Sequence, residues 1–316
     1  MMRFPRDLLE TLAVVVEAGT FDAAAERLNV TPSAVSQRIK VLEQQLGRVL
    51  VVRSKPVRPT ESGEALIRLA RQLSLLEHDA AAALRLEGEA SDDGLAAFTS
   101  IPIAVNADSL ATWILPALAR VATEHDIIVD IHREDQERTA GLLVAGTVMA
   151  AVTSRSHPIP GCTVAALGAM SYRPVAAPAF ADRWFSGHAD GSGLDAAALA
   201  VAPVVDFDRT DELQSRYLRA ASVRTLSPPR HYVPASSEFA QAILLGMGWG
   251  MLPRAQADAA VASGALVDLD PSGAVEVPLY WQQWNLRSPA LDAVAEAVAR
   301  EARSALSVMT YTGRGG

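Results

Sequence analysis

The sequence predicts an α/β protein with an N-terminal winged helix-turn-helix domain, a long linker helix and a larger C-terminal body. Three observations support this fold class. A capped helix with a polar, mostly uncharged outer face lies near the amino terminus, a long helix with a regular apolar stripe follows it, and from Ile101 onwards short apolar strands alternate with helices. A chain of 316 residues is long enough for two or three such parts.

A segment near the amino terminus predicts two helices joined by a tight turn. Asp22–Leu28 is a short Ala-rich helix, and Thr31 can cap a second helix that starts at Pro32, where the missing N–H costs nothing. Gly47 is expected to end this second helix, because glycine adopts the left-handed C-cap conformation without strain. A preceding helix, Arg6–Ala18, is predicted to pack behind the pair through its own apolar stripe.

The outer face of the second helix suits the major groove of double-stranded DNA. Its apolar residues from Val35 to Leu46 form a single stripe, which leaves the opposite face polar and nearly free of carboxylates. A helix that lies between two rows of phosphates requires such a face. An ordinary helical hairpin inside an enzyme is the alternative. The predicted DNA contacts on this helix and its cap are Thr31, Pro32, Ser33, Ser36, Gln37, Arg38 and Lys40.

The region after this helix predicts a wing, a two-stranded ribbon beside the helix that reads DNA. Val49–Val52 is a short β-branched run, and Pro56–Pro59 is a turn. Arg53, Lys55 and Arg58 are expected near phosphates, where they would add salt-dependent affinity rather than sequence choice. A role as plain solvated surface charge is equally open for each of these three residues.

Charge is distributed as in a nucleic-acid-binding head on an acidic body. Residues 1–60 carry nine Lys/Arg and six Asp/Glu, a net charge of +3, whereas the whole chain carries −8, which leaves −11 for residues 61–316. The two lysines of the chain, Lys40 and Lys55, both lie in this head. Because a single head with so small a charge binds DNA weakly, we expect a homodimer or homotetramer that multiplies the phosphate contacts.

Residues 61–88 are predicted to form the linker helix, with Thr60 as its N-cap. The apolar positions alternate at spacings of three and four, which is typical of a seam with a second helix. The expected partner is the same helix of a second subunit, and packing on the chain's own body is the alternative. Residues 89–100 are polar and predict a hinge. The predicted dimerisation residues are Leu66, Leu69, Leu73, Leu76 and Ala80.

Residues 101–306 predict a body of repeated strand–helix units, in which parallel sheets are covered by helices, and residues 307–316 predict a frayed tail. Within the body, one helix is predicted over Ser109–Thr123 and another over Gln136–Ala145. The predicted strands are Ile101–Val105, Ile127–Ile131, Val148–Val152, Thr163–Leu167, Tyr172–Ala177, Pro203–Phe207, His231–Val233, Gly250–Leu252, Leu266–Leu269 and Val277–Trp284.

Ligands of such bodies bind where strands end and helices begin. Asn106, Asp108 and Ser109 follow the first strand, and Glu134 and Asp135 follow the second, where two adjacent carboxylates suit a cation. A capping or turn role is equally open for Asp108 and Asp135, as it is for Asp208. The other predicted effector contacts are Thr153, Asp206, Trp249 and Met251.

The remaining signals argue against an enzyme and against a membrane protein. The sequence has no GxSxG, no P-loop, no GxGxxG after a strand and no Cys/His metal spacing. Cys162 is the single cysteine and is expected to be a plain thiol. No signal peptide and no membrane-spanning run is predicted, so we expect a cytoplasmic protein. Trp113, Trp281 and Trp284 are expected in the core.

The N-terminal motifs and several runs in the body carry a resemblance to one family. The N-terminal matches are Leu12, Val16, Gly19–Phe21, Ala23–Leu28, Thr31–Ser36, Ile39, Leu42, Glu43, Leu46, Gly47, Arg53 and Pro59–Gly63. The matches in the body are Asn106–Trp113, His132–Gln136, Pro158–Cys162, Met247–Met251 and Val277–Trp284. On these residues the chain resembles the LysR-type transcriptional regulators, and within them the LysG/ArgP-like subgroup that regulates basic amino-acid export and arginine transport.

The resemblance implies a bilobal, periplasmic-binding-protein-like effector domain, with lobe I at 101–170 and 275–306 and lobe II at 171–270. It also implies a small-molecule effector between the lobes, L-lysine or L-arginine, and no cofactor. The expected partners are an inverted-repeat promoter site and RNA polymerase, and the expected outcome is activation of an amino-acid exporter gene. Three alternatives stay open: an architectural DNA-binding protein without an effector, a regulator that responds to another small metabolite, and an enzyme tethered to DNA, which would turn over an amino acid.

Overall fold

The computed structural model describes residues 4–84, 98–133, 136–185, 194–222 and 226–309. Four predicted features fall wholly or partly outside these ranges. They are Glu134 and Asp135 of the predicted effector site, the end of the linker helix at 85–88, the hinge at 89–97 and the tail at 310–316.

The head contains three helices and a two-stranded wing. The helices are α1 (Arg6–Ala18), α2 (Phe21–Arg27) and α3 (Pro32–Leu46), and the wing pairs β1 (Val51–Val52) with β2 (Arg58–Pro59) in antiparallel register. The inner faces of the three helices and of the wing share one hydrophobic core. The predicted winged helix-turn-helix is therefore confirmed, with a wing shorter than the β-branched run suggested.

The predicted capping signals of the head are present. Thr31 accepts the Ala34 N–H at 3.2 Å, and Gly47 ends α3 in the left-handed conformation with a φ of 65°. The start of α2 lies one residue earlier than predicted, because Thr20 caps it by accepting the Ala23 N–H at 3.2 Å. These local bonds fix the direction of α3 relative to the turn that precedes it.

The linker helix is α4 (Glu61–Leu84). Thr60 accepts the Gly63 N–H at 3.2 Å and donates its own hydroxyl to the Val49 carbonyl at 2.8 Å. The predicted N-cap is therefore present, and it also ties the start of the linker helix to the segment that leads into the wing.

The predicted dimerisation residues divide between two environments on α4. Leu66 is buried in the head's own core, and Leu69 and Leu73 pack half-buried against the same core. Leu76 and Ala80, further along the helix, are exposed. Packing on the chain's own head thus accounts for the first part of the apolar stripe, and only the second part is free to meet another helix.

The body alternates strands and helices. The helix predicted over Ser109–Thr123 is two helices, because Trp113 leaves the helical conformation, with a φ of −137°, and its ring is buried in the core. The elements are β3 (Thr99–Val105), α5 (Ala107–Thr112), α6 (Ile114–Glu124), β4 (Ile127–Arg133), α7 (Gln136–Ala145), β5 (Ala150–Thr153), β6 (Cys162–Ala176), α8 (Pro178–Phe185), α9 (Ala196–Val201), β7 (Val204–Asp206), α10 (Leu213–Ala221), β8 (Arg230–Tyr232), α11 (Ser236–Leu244), β9 (Gly250–Pro253), α12 (Arg254–Ala262), β10 (Val267–Asp268), β11 (Val275–Trp284) and α13 (Pro289–Ala305).

The main sheet of the body is mixed rather than purely parallel as predicted. Its order is β10-β6-β11-β5-β3-β4, and β9 also pairs with β6. β3 runs parallel to β4 and β5, whereas β11 runs antiparallel to both β5 and β6. The sheet is mixed because β11, which comes late in the sequence, inserts between β5 and β6 and runs antiparallel to both.

The two strands predicted at Thr163–Leu167 and Tyr172–Ala177 are one continuous strand, β6. Its amino half pairs with β11 and its carboxyl half with β9 and β10, so β6 runs through both halves of the body. Gly168, at a φ of 145°, accommodates the register shift opposite Leu279 and Tyr280. The gap predicted between the two strands is therefore a bulge, and the lobe boundary predicted at residue 170 falls inside a strand.

The three tryptophans and the cysteine lie in the environments that the sequence predicted for them. Trp113, Trp281 and Trp284 are buried in the main hydrophobic core, as predicted. Cys162 is a half-buried free thiol whose pKa is raised by burial. Within the described ranges, no helix has both the length and the apolar character needed to cross a membrane.

Candidate DNA-binding surface and effector site

The face of α3 opposite the core is open to solvent. Thr31, Pro32, Ser33, Gln37 and Lys40 are exposed, and the Thr31 and Ser33 hydroxyl oxygens lie 2.9 Å apart at the start of the helix. This surface presents hydroxyl, amide and ammonium groups at the amino end of a helix, which is the chemistry that contacts base edges and phosphates.

Arg38 and Ser36 are half-buried and sit closer to the other helices than the exposed residues of α3 do. The Arg38 guanidinium donates to the Thr11 hydroxyl at 3.2 Å, and Thr11 in turn donates to the Asp7 carbonyl at 2.6 Å. Arg38 is therefore oriented by α1. No sequence pattern indicated this role of Thr11, which lies beside the predicted apolar stripe.

The wing brings cations next to α3. Arg53, Lys55 and Arg58 are all exposed, and the Arg53 guanidinium lies 5.3 Å from the centre of the Phe21 ring. The ring orients Arg53 through a cation–π contact while its charge stays accessible. Lys40 on α3 is exposed as well, so the helix and the wing both present positive charge to solvent.

In the body, Asp108 links three elements of the fold. Its carboxylate accepts the Tyr172 hydroxyl at 2.7 Å and the Ser236 hydroxyl at 2.7 Å. Asp108 belongs to α5 beside the first strand of the body, Tyr172 belongs to β6, and Ser236 opens α11. Gln256 donates to Ser236 at 3.2 Å and extends the network. Tyr172, Ser236 and Gln256 were not predicted, because they lie far from Asp108 in the sequence.

Two more carboxylates share this region. Burial raises the pKa of Asp211, the Leu213 and Phe207 N–H groups lower it, and the nearby charges of Asp206 and Asp108 raise it. Asp211 is therefore within electrostatic reach of both Asp206 and Asp108. Burial and the carboxylates of Asp108 and Asp211 also raise the pKa of Tyr172 well above its usual value, so the tyrosine stays a hydrogen-bond donor.

Asp206 is buried, and the Arg230 guanidinium compensates its negative charge only in part. Burial raises its pKa, whereas the hydrogen bond and the positive charge of Arg230 lower it. Arg230 contacts one carboxylate oxygen and also lies 3.3 Å from the Ser215 hydroxyl. The negative charges of Asp108 and Asp206 thus both act on Asp211, while the Arg230 guanidinium compensates Asp206.

Several polar atoms at this site are buried without a hydrogen-bond partner among the described residues. They are Asn106 Oδ1, Ser109 Oγ and Asp206 Oδ1. Buried polar groups are normally paired, so unpaired ones mark places where a ligand or ordered water completes the bonding. Asn106 and Ser109 follow β3, as the sequence predicted, and neither of their side chains caps α5.

Other residues considered as effector contacts already bond to the protein backbone or pack in the hydrophobic core. Asp208 accepts the Thr210 N–H at 2.7 Å and the Asp211 N–H at 3.0 Å, so it shapes the turn, which was the alternative role considered for it. Trp249 packs edge-on against Tyr217 at 5.7 Å in the hydrophobic core. Met251 is buried in the same core, and the Thr153 hydroxyl accepts the Arg155 N–H at 3.2 Å.

Two cavities lie at the surface of the body. One of about 260 Å³ opens beside Asp206 and Arg230, and its lining includes Asp211. The other, of about 290 Å³, lies between α6 and α13 and is lined by Arg120, among others. Within the described residues, no group of three or more His, Cys, Asp and Glu is placed to hold a metal ion.

Family models match both parts of the chain. The model described as "Bacterial regulatory helix-turn-helix protein, lysR family" matches residues 6–64, and the model described as "LysR substrate binding domain" matches residues 99–303. The chain belongs to the LysR family. It is a DNA-binding transcriptional regulator with a substrate-binding domain, not an enzyme, and the family resemblance seen in the sequence is confirmed.

Relatives of this LysR-family chain match it over almost its full length. The HTH-type transcriptional regulator LysG of Mycobacterium tuberculosis is 47% identical over 298 residues, which cover 94% of this chain and 93% of that protein. The lysine export transcriptional regulatory protein LysG of Corynebacterium glutamicum is 38% identical and covers 92% of this chain and 95% of its own.

A solved structure supports the full-length fold. The structure of full-length LysG from Corynebacterium glutamicum with bound effector Arg superimposes with a TM-score of 0.74 at 36% sequence identity. The match covers 96% of this chain and all of that one, 100%. The LysR-family arrangement of head, linker helix and substrate-binding domain therefore extends over this chain.

Proposed function

We propose that this LysR-family regulator senses a basic amino acid, L-arginine or L-lysine, and that the effector changes how it contacts promoter DNA. The observation that carries the proposal is the set of buried polar atoms, Asn106 Oδ1, Ser109 Oγ and Asp206 Oδ1, that have no hydrogen-bond partner among the described residues. Two of them flank Asp108 in the sequence, whose carboxylate accepts the Tyr172 and Ser236 hydroxyl groups. The names of its relatives point the same way, since LysG of Corynebacterium glutamicum is a lysine export regulator and its structure was solved with arginine bound.

The chemistry of a basic amino acid fits this site at both ends. Excess carboxylates favour the α-ammonium group and the cationic side chain, because a charge-assisted hydrogen bond is about twice as strong as a neutral one. The Ser109 hydroxyl and the free N–H groups at the start of α5 suit the α-carboxylate. We propose Asn106, Asp108, Ser109, Asp206 and Asp211 as effector contacts, together with Glu134, Asp135 and Thr153 from the sequence analysis.

The network around Asp108 suggests how binding is coupled to lobe geometry. Tyr172 and Ser236 donate to Asp108 from two other elements of the body, at 2.7 Å each. A ligand ammonium that takes a place on Asp108 must share or replace these donors, and either event alters the contact between α5 and α11. The effector would then favour one relative position of the lobes over the other, which is the requirement for a ligand-driven change.

The proposal extends to partners and assembly. The exposed residues of α3 and the wing contact an inverted-repeat promoter site, and a homodimer or homotetramer presents several heads to it. Leu76 and Ala80 form the free part of the α4 seam, and exposed Leu84 continues it. We further propose that the regulator acts in the cytoplasm and activates an amino-acid exporter gene by contact with RNA polymerase.

Calorimetric titration of the full-length chain with L-arginine and L-lysine tests the effector, with L-leucine and L-glutamate as controls. We expect binding with a Kd in the micromolar range, about −8 kcal/mol, for the basic amino acids only. Asp108→Asn and Asp211→Asn should each weaken it at least tenfold, whereas Asp258→Asn, which alters an exposed ion pair with Arg254, should leave it unchanged. Equal heats from all four amino acids, or none from arginine and lysine, would contradict the proposal.

A further inference from the structure

The linker helix α4 is built into two hydrophobic cores at once. Leu66 and Ile67 are buried in the core of the head, whereas Leu75 is buried in the main core of the body. These residues lie on different faces of the helix, about two turns apart. A displacement of the body against α4 therefore acts on an element that is continuous with the DNA-binding head.

Two arginines of α4 hold the carboxyl end of α7. The Arg68 guanidinium donates to the Val144 carbonyl, and the Arg71 guanidinium donates to the Gly146 carbonyl. The last carbonyls of a helix lack partners within it and carry partial negative charge, so cationic donors are favoured there. A Cβ on Gly146, which has a φ of 73°, would come within 2.8 Å of the Arg68 Cα, so the two backbones touch at this turn.

Arg71 sits where head, linker helix and body meet. Burial lowers its pKa, and the carboxylates of Glu17 and Asp130 counteract this effect. Glu17 belongs to α1 of the head, where it also pairs with Arg27 at 2.8 Å, and Asp130 belongs to β4 of the body. The charges of one carboxylate in the head and one in the body thus both act on this half-buried guanidinium, and a regulator must control the relative position of these two parts.

At its other face, α7 is attached to the strands that lead to the effector site. It packs on β3 and β5, and Leu143 is fully buried between them and the rest of the core. β3 runs directly into Asn106 and Asp108, and β5 ends at Thr153. A shift of lobe I that follows a change at these residues carries α7, and with it the carbonyls that Arg68 and Arg71 hold.

We propose that Arg68 and Arg71 are positioning residues that transmit effector occupancy from α7 to the DNA-binding head. The inference rests on the proposed amino-acid response and assigns its route. Removal of Arg71 leaves the effector site and the DNA-binding face intact but uncouples them. Coupling between two ligands is measured as the factor by which one changes the affinity for the other, typically about 5- to 150-fold.

The test uses the full-length chain and promoter DNA in fluorescence anisotropy, with and without saturating L-arginine. Arg71→Ala and the double variant with Arg68→Ala should reduce the effector-induced change in DNA Kd to under about twofold, while the calorimetric Kd for arginine stays close to wild type. Arg71→Lys, which keeps the charge, should retain more of the change than Arg71→Ala. Arg6→Ala is the matched control, because Arg6 pairs with Glu77 at 2.8 Å between head and linker helix.

The outcomes distinguish the coupling through Arg68, Arg71 and α7 from amino-acid sensing itself. A wild-type shift that persists undiminished in the double variant overturns the route through α7 and leaves amino-acid sensing in place. No shift in the wild type with arginine or lysine overturns the proposed response, and the route with it. A loss of shift in Arg6→Ala as large as in Arg71→Ala would also overturn the proposal, since general loosening of the linker helix would then explain both. Faster amide hydrogen exchange in the last turn of α7 in Arg71→Ala, without effector, would support it.

Discussion

Replacement of Arg230 by alanine removes the partner of a buried carboxylate. Asp206 is 1% exposed, the Arg230 side chain is 22% exposed, and the guanidinium contacts one carboxylate oxygen while the other has no partner among the described residues. Breaking a buried pair in this way costs about 3–5 kcal/mol. Because Arg230 is partly reached by water, we expect a loss of about 3 kcal/mol in the free energy of unfolding at neutral pH.

The loss should depend on pH with a defined sign. Burial already raises the pKa of Asp206, and Arg230 opposes that rise, so the pKa in Arg230→Ala is higher still. A carboxyl with a raised folded-state pKa binds its proton more tightly in the folded chain, so stability falls as pH rises from the unfolded pKa, near 4, through the folded one. The difference from wild type should be largest at alkaline pH and shrink in acid.

Urea unfolding followed by circular dichroism measures this difference. With a denaturant dependence of about 3 kcal/mol per molar, the midpoint should fall by about 1 M. Arg219→Ala, which removes an exposed contact to Glu212 at 3.4 Å, is the matched control and should change stability by less than about 0.5 kcal/mol. The double variant Arg230→Ala/Asp206→Asn should recover much of the loss. A pH-independent midpoint equal to wild type would refute the reasoning.

Three further predictions concern the head and the linker helix. Lys40→Ala should weaken DNA binding and reduce the slope of log affinity against log salt by about 0.9 in an anisotropy series, and an unchanged slope would remove Lys40 from the phosphate contacts. Thr31→Ala should destabilise the head by about 1 kcal/mol in thermal unfolding because the Ala34 N–H loses its cap, whereas Thr31→Ser should retain the wild-type value. Leu76→Glu should shift the protein towards monomer in analytical ultracentrifugation, while Ser74→Glu on the same helix should not. An oligomer unaffected by Leu76→Glu would place the interface elsewhere.

The head could be predicted from the sequence because its signals are local. The cap at Thr31, the proline after it, the stop at Gly47 and the apolar stripe of α3 lie within one segment, and each reports on bonds made inside that segment. The main error in the linker helix has a physical cause. A stripe of apolar residues does not say which surface covers it, and here the head covers Leu66.

The proposed effector site could be predicted from the sequence only where it follows the ends of strands. Asn106, Asp108 and Ser109 come directly after β3, so the order of strands and helices was enough to predict that they lie at the end of a strand. The donors to Asp108 were not, because Tyr172 and Ser236 reach it through the fold and have no pattern of their own. Asp208 and Asp211 show the same limit, since both accept local backbone N–H groups and only the three-dimensional structure shows that Asp211 is also affected by the charge of Asp108.

Amino-acid sensing is tested most directly by a footprint of the full-length regulator on promoter DNA with and without L-arginine. Sensing through the proposed site should change the extent or spacing of the protected bases in the wild type at saturating L-arginine and leave the footprint of Asp108→Asn unchanged. Identical wild-type footprints in both conditions, at full occupancy of the effector site, would contradict it and leave an architectural DNA-binding protein as the simpler account.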